Sequence, residues 1–271
     1  MPWRILLFIL SLIPSLVVAA AAEAIAMRIA SALGYRILVV GWSAALALLL
    51  SHFFMLKWVE GKSWDFVWLE RAAARPLSLI IGTLLGLLAI AIPSAALLAA
   101  GELQIVPATP GSSLAAAGIS FARLLPAAFS EELLLRGYVF AVLREAIGWR
   151  MTLIATSLVF GLLHIPNPSA DGQAILIVML AGLFLGAVML VTRSLYAATM
   201  AHFAWNWFMA AGLHSPVSGL PVDSPDYRVI DSGPDWLTGG GWGPEGGVAA
   251  ALGMFAALIY LNARLLRRTE R

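Results

Sequence analysis

The sequence predicts an all-α fold, a polytopic membrane helix bundle of about eight transmembrane helices, and three observations carry that prediction. The 271 residues are 61% hydrophobic and only 12% charged, against about 25% charged in soluble domains. The apolar residues gather into runs long enough to cross a bilayer core, which takes roughly 17–25 residues each. The lysines and arginines fall overwhelmingly in alternate connections between those runs.

In chain order the runs cover residues 5–22, 37–56, 77–100, 114–143, 151–165, 174–191, 195–213 and 248–266. The first follows Arg4 and ends in VVAAAAEA, a composition that also suits a cleavable signal peptide. Numbering the runs as spans puts Arg4, Lys57, Lys62, Arg71, Arg75, Arg144, Arg150, Arg193, Arg264, Arg267, Arg268 and Arg271 on one side. Only Arg28, Arg36 and Arg228 face the other side. The positive-inside rule then expects both termini in the cytoplasm. The expected organisation is one membrane-embedded domain over 1–271. It has N-terminal helices in 5–100, a core at about 115–213, an outer loop at 214–247 and a last helix at 248–266.

Composition also excludes functions. The chain has no cysteine, which removes disulfides, Cys-ligated zinc and thiol catalysis. A net charge of +2 argues against nucleic acid as a partner. The expected partners are the lipid bilayer and a membrane-associated protein or peptide substrate. The Ala- and Leu-rich, Cys-free composition suits a multi-pass protein of a bacterial plasma membrane.

Two connections stand out. KWVEGKSWDFVWLERAAARP (57–76) sets Trp64, Val67, Trp68 and Arg71 at helical spacing, as expected of a short amphipathic helix lying in the interface. A plain loop with an aromatic belt is the alternative. The outer loop is rich in Gly, Pro and Asp, and its acids match no EF-hand spacing.

Ionisable residues inside the apolar runs carry the functional signal, because each costs about 2.5–3.5 kcal/mol at the bilayer centre on insertion scales. Glu131, Glu132 and Arg136 lie in the fourth run, His164 near the end of the fifth, and His202 with Asn206 in the seventh. Glu132 and Arg136 are spaced i,i+4, with the glutamate N-terminal, the better order for an ion pair. Glu131 is turned about 100° away. His202 and Asn206 share a face, and Phe160 sets an aromatic ring one turn from His164. At about 1.5 Å per residue, all these groups reach one middle layer of the membrane. His52 and His214 are read as packed helix residues.

Acid, imidazoles and an amide in one desolvated layer suit amide hydrolysis. A carboxylate can act as base, an imidazole can help hold water, and a second histidine with an amide can donate to an oxyanion. Alternatively Glu131, His164 and His202 could hold a zinc ion that activates the water. No HExxH and no GxGD aspartyl motif is present, and no serine motif of the rhomboid type. A Glu–Arg pair could also serve as structural glue in a non-catalytic membrane scaffold.

EELLLRG, FGLLH and HFAWN, in this order on successive helices, resemble the EExxxR, FxxxH and HxxxN motifs of the CAAX protease and bacteriocin-processing (CPBP, or Abi) family. Eukaryotic members of that family are type II prenyl-protein endopeptidases. The resemblance spans roughly residues 120–210. It implies intramembrane proteolysis by a glutamate-activated water, with no cofactor. Members were first regarded as metalloproteases, so zinc is the alternative it carries. By position, Glu131 would be the base, His164 its assistant, and His202 and Asn206 the oxyanion site. Glu132, Arg136 and Phe160 would support them. The non-catalytic alternative within the same family is an immunity or scaffold protein.

Overall fold

A hydrocarbon core offers no water to backbone N–H and C=O groups, so apolar runs must satisfy those groups internally, as helices. The computed structural model describes residues 1–32 and 42–269. The chain runs through α1 (Pro2–Ala32), α2 (Trp42–Phe54) and α3 (Pro76–Ala100), then strand β1 (Leu103–Pro107). There follow α4 (Ser113–Arg136), α5 (Tyr138–Leu162), α6 (Gly172–Thr192) and α7 (Leu195–Trp207). Strand β2 (Tyr227–Asp231), the one-turn α8 (Asp235–Thr238) and α9 (Val248–Thr269) complete it. The result is an all-α membrane bundle. The expected start of the second run, at 37, lies outside the described residues.

Six of the described helices are long and apolar enough to cross a membrane. One of the six is the 50-residue stretch Ser113–Leu162. Eight is reached only by counting that stretch twice and adding α7 with its π-helical continuation Phe208–Gly212.

The run expected as one helix over 114–143 is broken. α4 ends at Arg136, and Gly137 (φ −79°, ψ −122°) leaves helical geometry before α5 starts at Tyr138. His52 explains the break. Its Nδ1–H donates to the Leu48 carbonyl (2.7 Å), so its Nε2 is free to accept from the Tyr138 N–H (2.9 Å). That bond satisfies a backbone donor that a helix start leaves unpaired. A Cβ at residue 137 would lie 2.2 Å from the same Nε2, so only glycine admits the ring. The span expected from 151 therefore begins at 138 and kinks at Gly148 (φ 77°).

The expected amphipathic helix over 57–76 does not form. The π-helical turn Met55–Glu60 and the 3-10 turns Trp64–Val67 and Arg71–Ala73 replace it, with Trp68 in the left-handed region (φ 53°). Tertiary bonds override the spacing. The carbonyl of Trp68 accepts from Leu195 N–H (3.1 Å), that of Leu69 from the Tyr196 hydroxyl (3.0 Å) and that of Ala73 from the Ser194 hydroxyl (2.7 Å). These bonds clamp the segment to the start of α7.

α7 is the central element, packed by α3, α4 and α6. Its approach to α3 is close. Gly82 and Gly86 face Ala197 and Ala201, and a Cβ at either glycine would come within 2.1 Å of a carbonyl oxygen on α7. Such small-residue contacts let membrane helices dock without a hydrophobic driving force between them. The outer segment is ordered by a two-stranded antiparallel sheet that pairs Leu103 with Asp231 and Pro107 with Tyr227. His214 stacks on Tyr227 with centroids 4.2 Å apart. Asp226 accepts from Gly111 N–H (2.9 Å) and the Ser113 hydroxyl (2.9 Å), tying the outer loop to the start of α4.

Candidate active site

The polar residues from three separate motifs meet where α4, the end of α5 and α7 converge. Sequence neighbours Glu131 and Glu132 have opposite environments: the Glu131 side chain is 42% exposed and that of Glu132 is 0% exposed. Glu132 Oε1 accepts from Arg136 Nη1 (3.2 Å) and from His202 Nδ1 (3.1 Å). The guanidinium also donates through Nη2 to the Gly182 carbonyl (3.1 Å) and lies 4.4 Å over the Phe160 ring. A fully buried charge pair needs such secondary bonds, since attraction alone barely offsets the desolvation of both ions.

Glu131 points elsewhere. Its Oε2 lies 3.8 Å from His202 Nε2 and 4.0 Å from His164 Nε2, and this oxygen is buried without a hydrogen-bond partner. These separations are too long for direct hydrogen bonds. His164 sits on the turn just past α5, where its Nδ1–H donates to the Phe160 carbonyl (2.7 Å). That bond fixes the tautomer and leaves Nε2 as an acceptor aimed at Glu131. The Phe160 ring packs against both imidazoles, 4.9 Å from His164 and 5.8 Å from His202. A cavity of about 270 Å³ opens beside Glu131 and His164.

Asn206 follows His202 by one turn and is 9% exposed. Its amide makes no hydrogen bond among the described residues. It lines a second, smaller cavity of about 40 Å³ with His164, His202, Trp205, Ser218 and Glu245. That volume suffices for a water or two. All seven residues singled out from the sequence therefore belong to one cluster, with Glu131 lining the larger of the two cavities and Asn206 the smaller.

Glu245 was not foreseen. It is 7% exposed although it belongs to the Gly-rich outer loop. Its Oε2 accepts from the Trp205 indole (2.5 Å), and its Oε1 from the Ser218 N–H and hydroxyl. Burial pushes its carboxyl above the usual range, against the opposing pull of those donors. In a loop with several acids nothing marks this one out. The only local signal is that it falls three residues before the last apolar run.

A zinc ion would ask for a closer spacing of these donors. Ligands 2.0–2.2 Å from a tetrahedral zinc stand about 3.4 Å apart, whereas Glu131 stands 3.8 and 4.0 Å from the two imidazoles. Among the described residues no three His, Asp or Glu side chains form a group able to hold a metal ion. As arranged, the carboxylate stands wider of the two imidazoles than ligands of one zinc would.

Residues 113–208 match the family of type II CAAX prenyl endopeptidases, Rce1-like. This is the family the three motifs resemble, and the matched stretch runs from the first residue of α4 to just past α7. No curated protein and no solved structure matches the chain.

Proposed function

We propose that this multi-pass membrane protein is an intramembrane endopeptidase. It hydrolyses a peptide bond of a membrane-associated protein or peptide with a water activated by Glu131 and His164, without a metal or other cofactor. The observation that carries the reading is the pair of unengaged acceptors, Glu131 Oε2 and His164 Nε2, held 4.0 Å apart at a cavity. A water about 2.8 Å from each would subtend roughly 90° between them, near its own bond angle. It would donate one proton to each and turn a lone pair outward.

The reaction follows from these positions. The water oxygen bonds to the scissile carbonyl carbon as Glu131 takes one of its protons. The carbonyl π pair moves onto oxygen, where the Asn206 amide donates to it. His202 assists when it carries a proton on Nε2, and Glu132 on Nδ1 is the counter-ion for that imidazolium. The C–N bond then breaks, and the proton held by Glu131 passes to the leaving nitrogen. Glu132 and Arg136 do no chemistry in this scheme; they hold His202.

The family match supports CAAX-protease-like cleavage, with a substrate that reaches the site from the bilayer. The basic residues shared by Arg4, the 57–75 segment and the end of α9 support cytoplasmic termini. The test compares membrane-protein fragments in cells that carry the wild type or Glu131→Ala. Fragments present only with the wild type are expected. Identical fragment sets would sink the enzyme reading in favour of a scaffold.

A further inference from the structure

At the end of the bundle away from the outer loop, a groove of about 920 Å³ opens between the start of α3, the end of α6 and the last turns of α9. Arg75, Arg193 and Arg264 line it, and all three are exposed. None makes an ion pair or side-chain hydrogen bond with a described residue, although the Arg264 guanidinium lies 5.3 Å over the Tyr260 ring. Among the described residues the one acid in the groove is Glu70, whose Oε2 is buried without a hydrogen-bond partner there. The hydroxyl of Ser78, in the first turn of α3, makes no hydrogen bond with a described residue.

The groove is continuous with an apolar outer surface. Leu77 on its wall is 68% exposed, and Ile80, Leu84 and Leu88 extend that stripe along α3. On a membrane helix such a stripe faces acyl chains. A cavity of this size, open to that apolar surface and rimmed by arginines, is accessible to whatever the bilayer supplies. Its walls ask for an amphiphile: an anion for three guanidiniums set against one carboxylate, and a chain for Leu77 and Ile81. A soluble phosphate would answer only the first demand.

We propose that this groove is a binding site for an anionic phospholipid. Its phosphodiester sits among Arg75, Arg193 and Arg264, and its acyl chain lies along Leu77 and Ile81. A headgroup hydroxyl donates to the orphaned oxygen of Glu70. Basic pockets between membrane helices bind lipid headgroups in this manner. A merely solvated basic rim would attract anions without discriminating position or headgroup. The site is independent of the hydrolytic reading, because no residue in it belongs to the cluster around Glu131.

The experiment is native mass spectrometry of the full-length protein released from micelles doped with phosphatidylglycerol, phosphatidylmethanol or phosphatidylcholine. Phosphatidylglycerol should be retained about tenfold better than phosphatidylcholine. The double variant Arg193→Gln, Arg264→Gln should lose about tenfold in that retention, and Arg150→Gln, outside the groove, should lose none. Equal retention of phosphatidylcholine by the wild type overturns the proposal whether or not the variants fold. An equal loss in Arg150→Gln overturns it in favour of bulk charge, and displacement of the lipid by glycerol phosphate alone overturns it in favour of a soluble anion. Phosphatidylmethanol has the same charge but no headgroup hydroxyl, so retention equal to phosphatidylglycerol would overturn the Glu70 contact.

Discussion

His202 Nδ1 lies 3.1 Å from Glu132 Oε1, while its Nε2 lies 3.8 Å from Glu131 Oε2, so one imidazole spans two adjacent glutamates. The buried one is already bound to Arg136, which leaves the half-exposed one for chemistry. Glu131→Gln should therefore leave the thermal midpoint in detergent unchanged and cut turnover at least about 10²-fold, the lower end for loss of a general base. Full activity in that variant would remove Glu131 as the base.

Glu132→Gln should behave differently. It strips the buried Arg136 of its counter-ion and His202 of its anchor, and breaking a buried pair from one side costs about 3–5 kcal/mol. Adding Arg136→Met should recover part of that stability, because no uncompensated charge remains. Turnover should stay low in the double variant, since His202 has still lost Glu132. An unchanged midpoint in Glu132→Gln would show that the pair does not brace the site.

Asn206 has no partner for its amide among the described residues, so its hydrogen bonds can serve a substrate. If it donates to the developing oxyanion, Asn206→Ala should lower kcat by about 10²–10³-fold with KM nearly unchanged. A rise in KM without a fall in kcat would make Asn206 a binding residue instead.

The site was legible because ionisable residues contrast with an apolar background. Glu131, Glu132, Arg136, His164 and His202 stand out for that reason, and their order on successive helices fixes a shared depth. The same background hides what is apolar or small. The run through Leu135 and Tyr138 reads as unbroken, since the break depends on His52, more than 80 residues earlier. Gly82 and Gly86 form a G-x-x-x-G pair that an uncharged, mostly apolar α3 conceals, though the motif itself can be read. Glu245 is hidden by the opposite circumstance. Acids are unremarkable in a polar loop, and only the tertiary fold reveals that this one is buried beside Trp205. Strands β1 and β2 are five residues each and lie far apart in sequence, so neither carries a hairpin signal.

Glu245 gives a pH prediction of definite sign. Burial raises its folded-state pKa above the ordinary value of 4.5. Between those two values the unfolded chain has released the proton and the folded one has kept it, so stability falls as pH rises. The wild type should lose stability as pH climbs from 4.5 through the raised value. Glu245→Gln has no proton to lose at that position and should show a flatter profile, even if its absolute stability is lower. Thermal midpoints of both proteins from pH 4 to pH 8 decide the matter. Parallel profiles would mean that Glu245 titrates normally despite its burial.

The last prediction concerns how α3 sets the position of His202. A Cβ at residue 86 would lie 2.0 Å from the carbonyl oxygen of Ala201, the residue before His202. The obstacle is backbone, which cannot rotate aside as a side chain can, so Gly86→Ala must push α3 and α7 apart. Overpacking of this kind costs about 1–3 kcal/mol. Displacing α7 also lengthens the 3.1 Å contact of His202 with Glu132, so turnover per folded molecule should fall as well. Gly118→Ala is the matching control, because a Cβ there, within α4, meets nothing within 4 Å. That substitution should be neutral or stabilise by about 0.5–1 kcal/mol, the usual gain from removing a helical glycine. The measurements are thermal midpoint in detergent and cleavage rate at equal folded concentration for both variants. If Gly86→Ala matches Gly118→Ala in both, the close contact between α3 and α7 does not hold His202 in place.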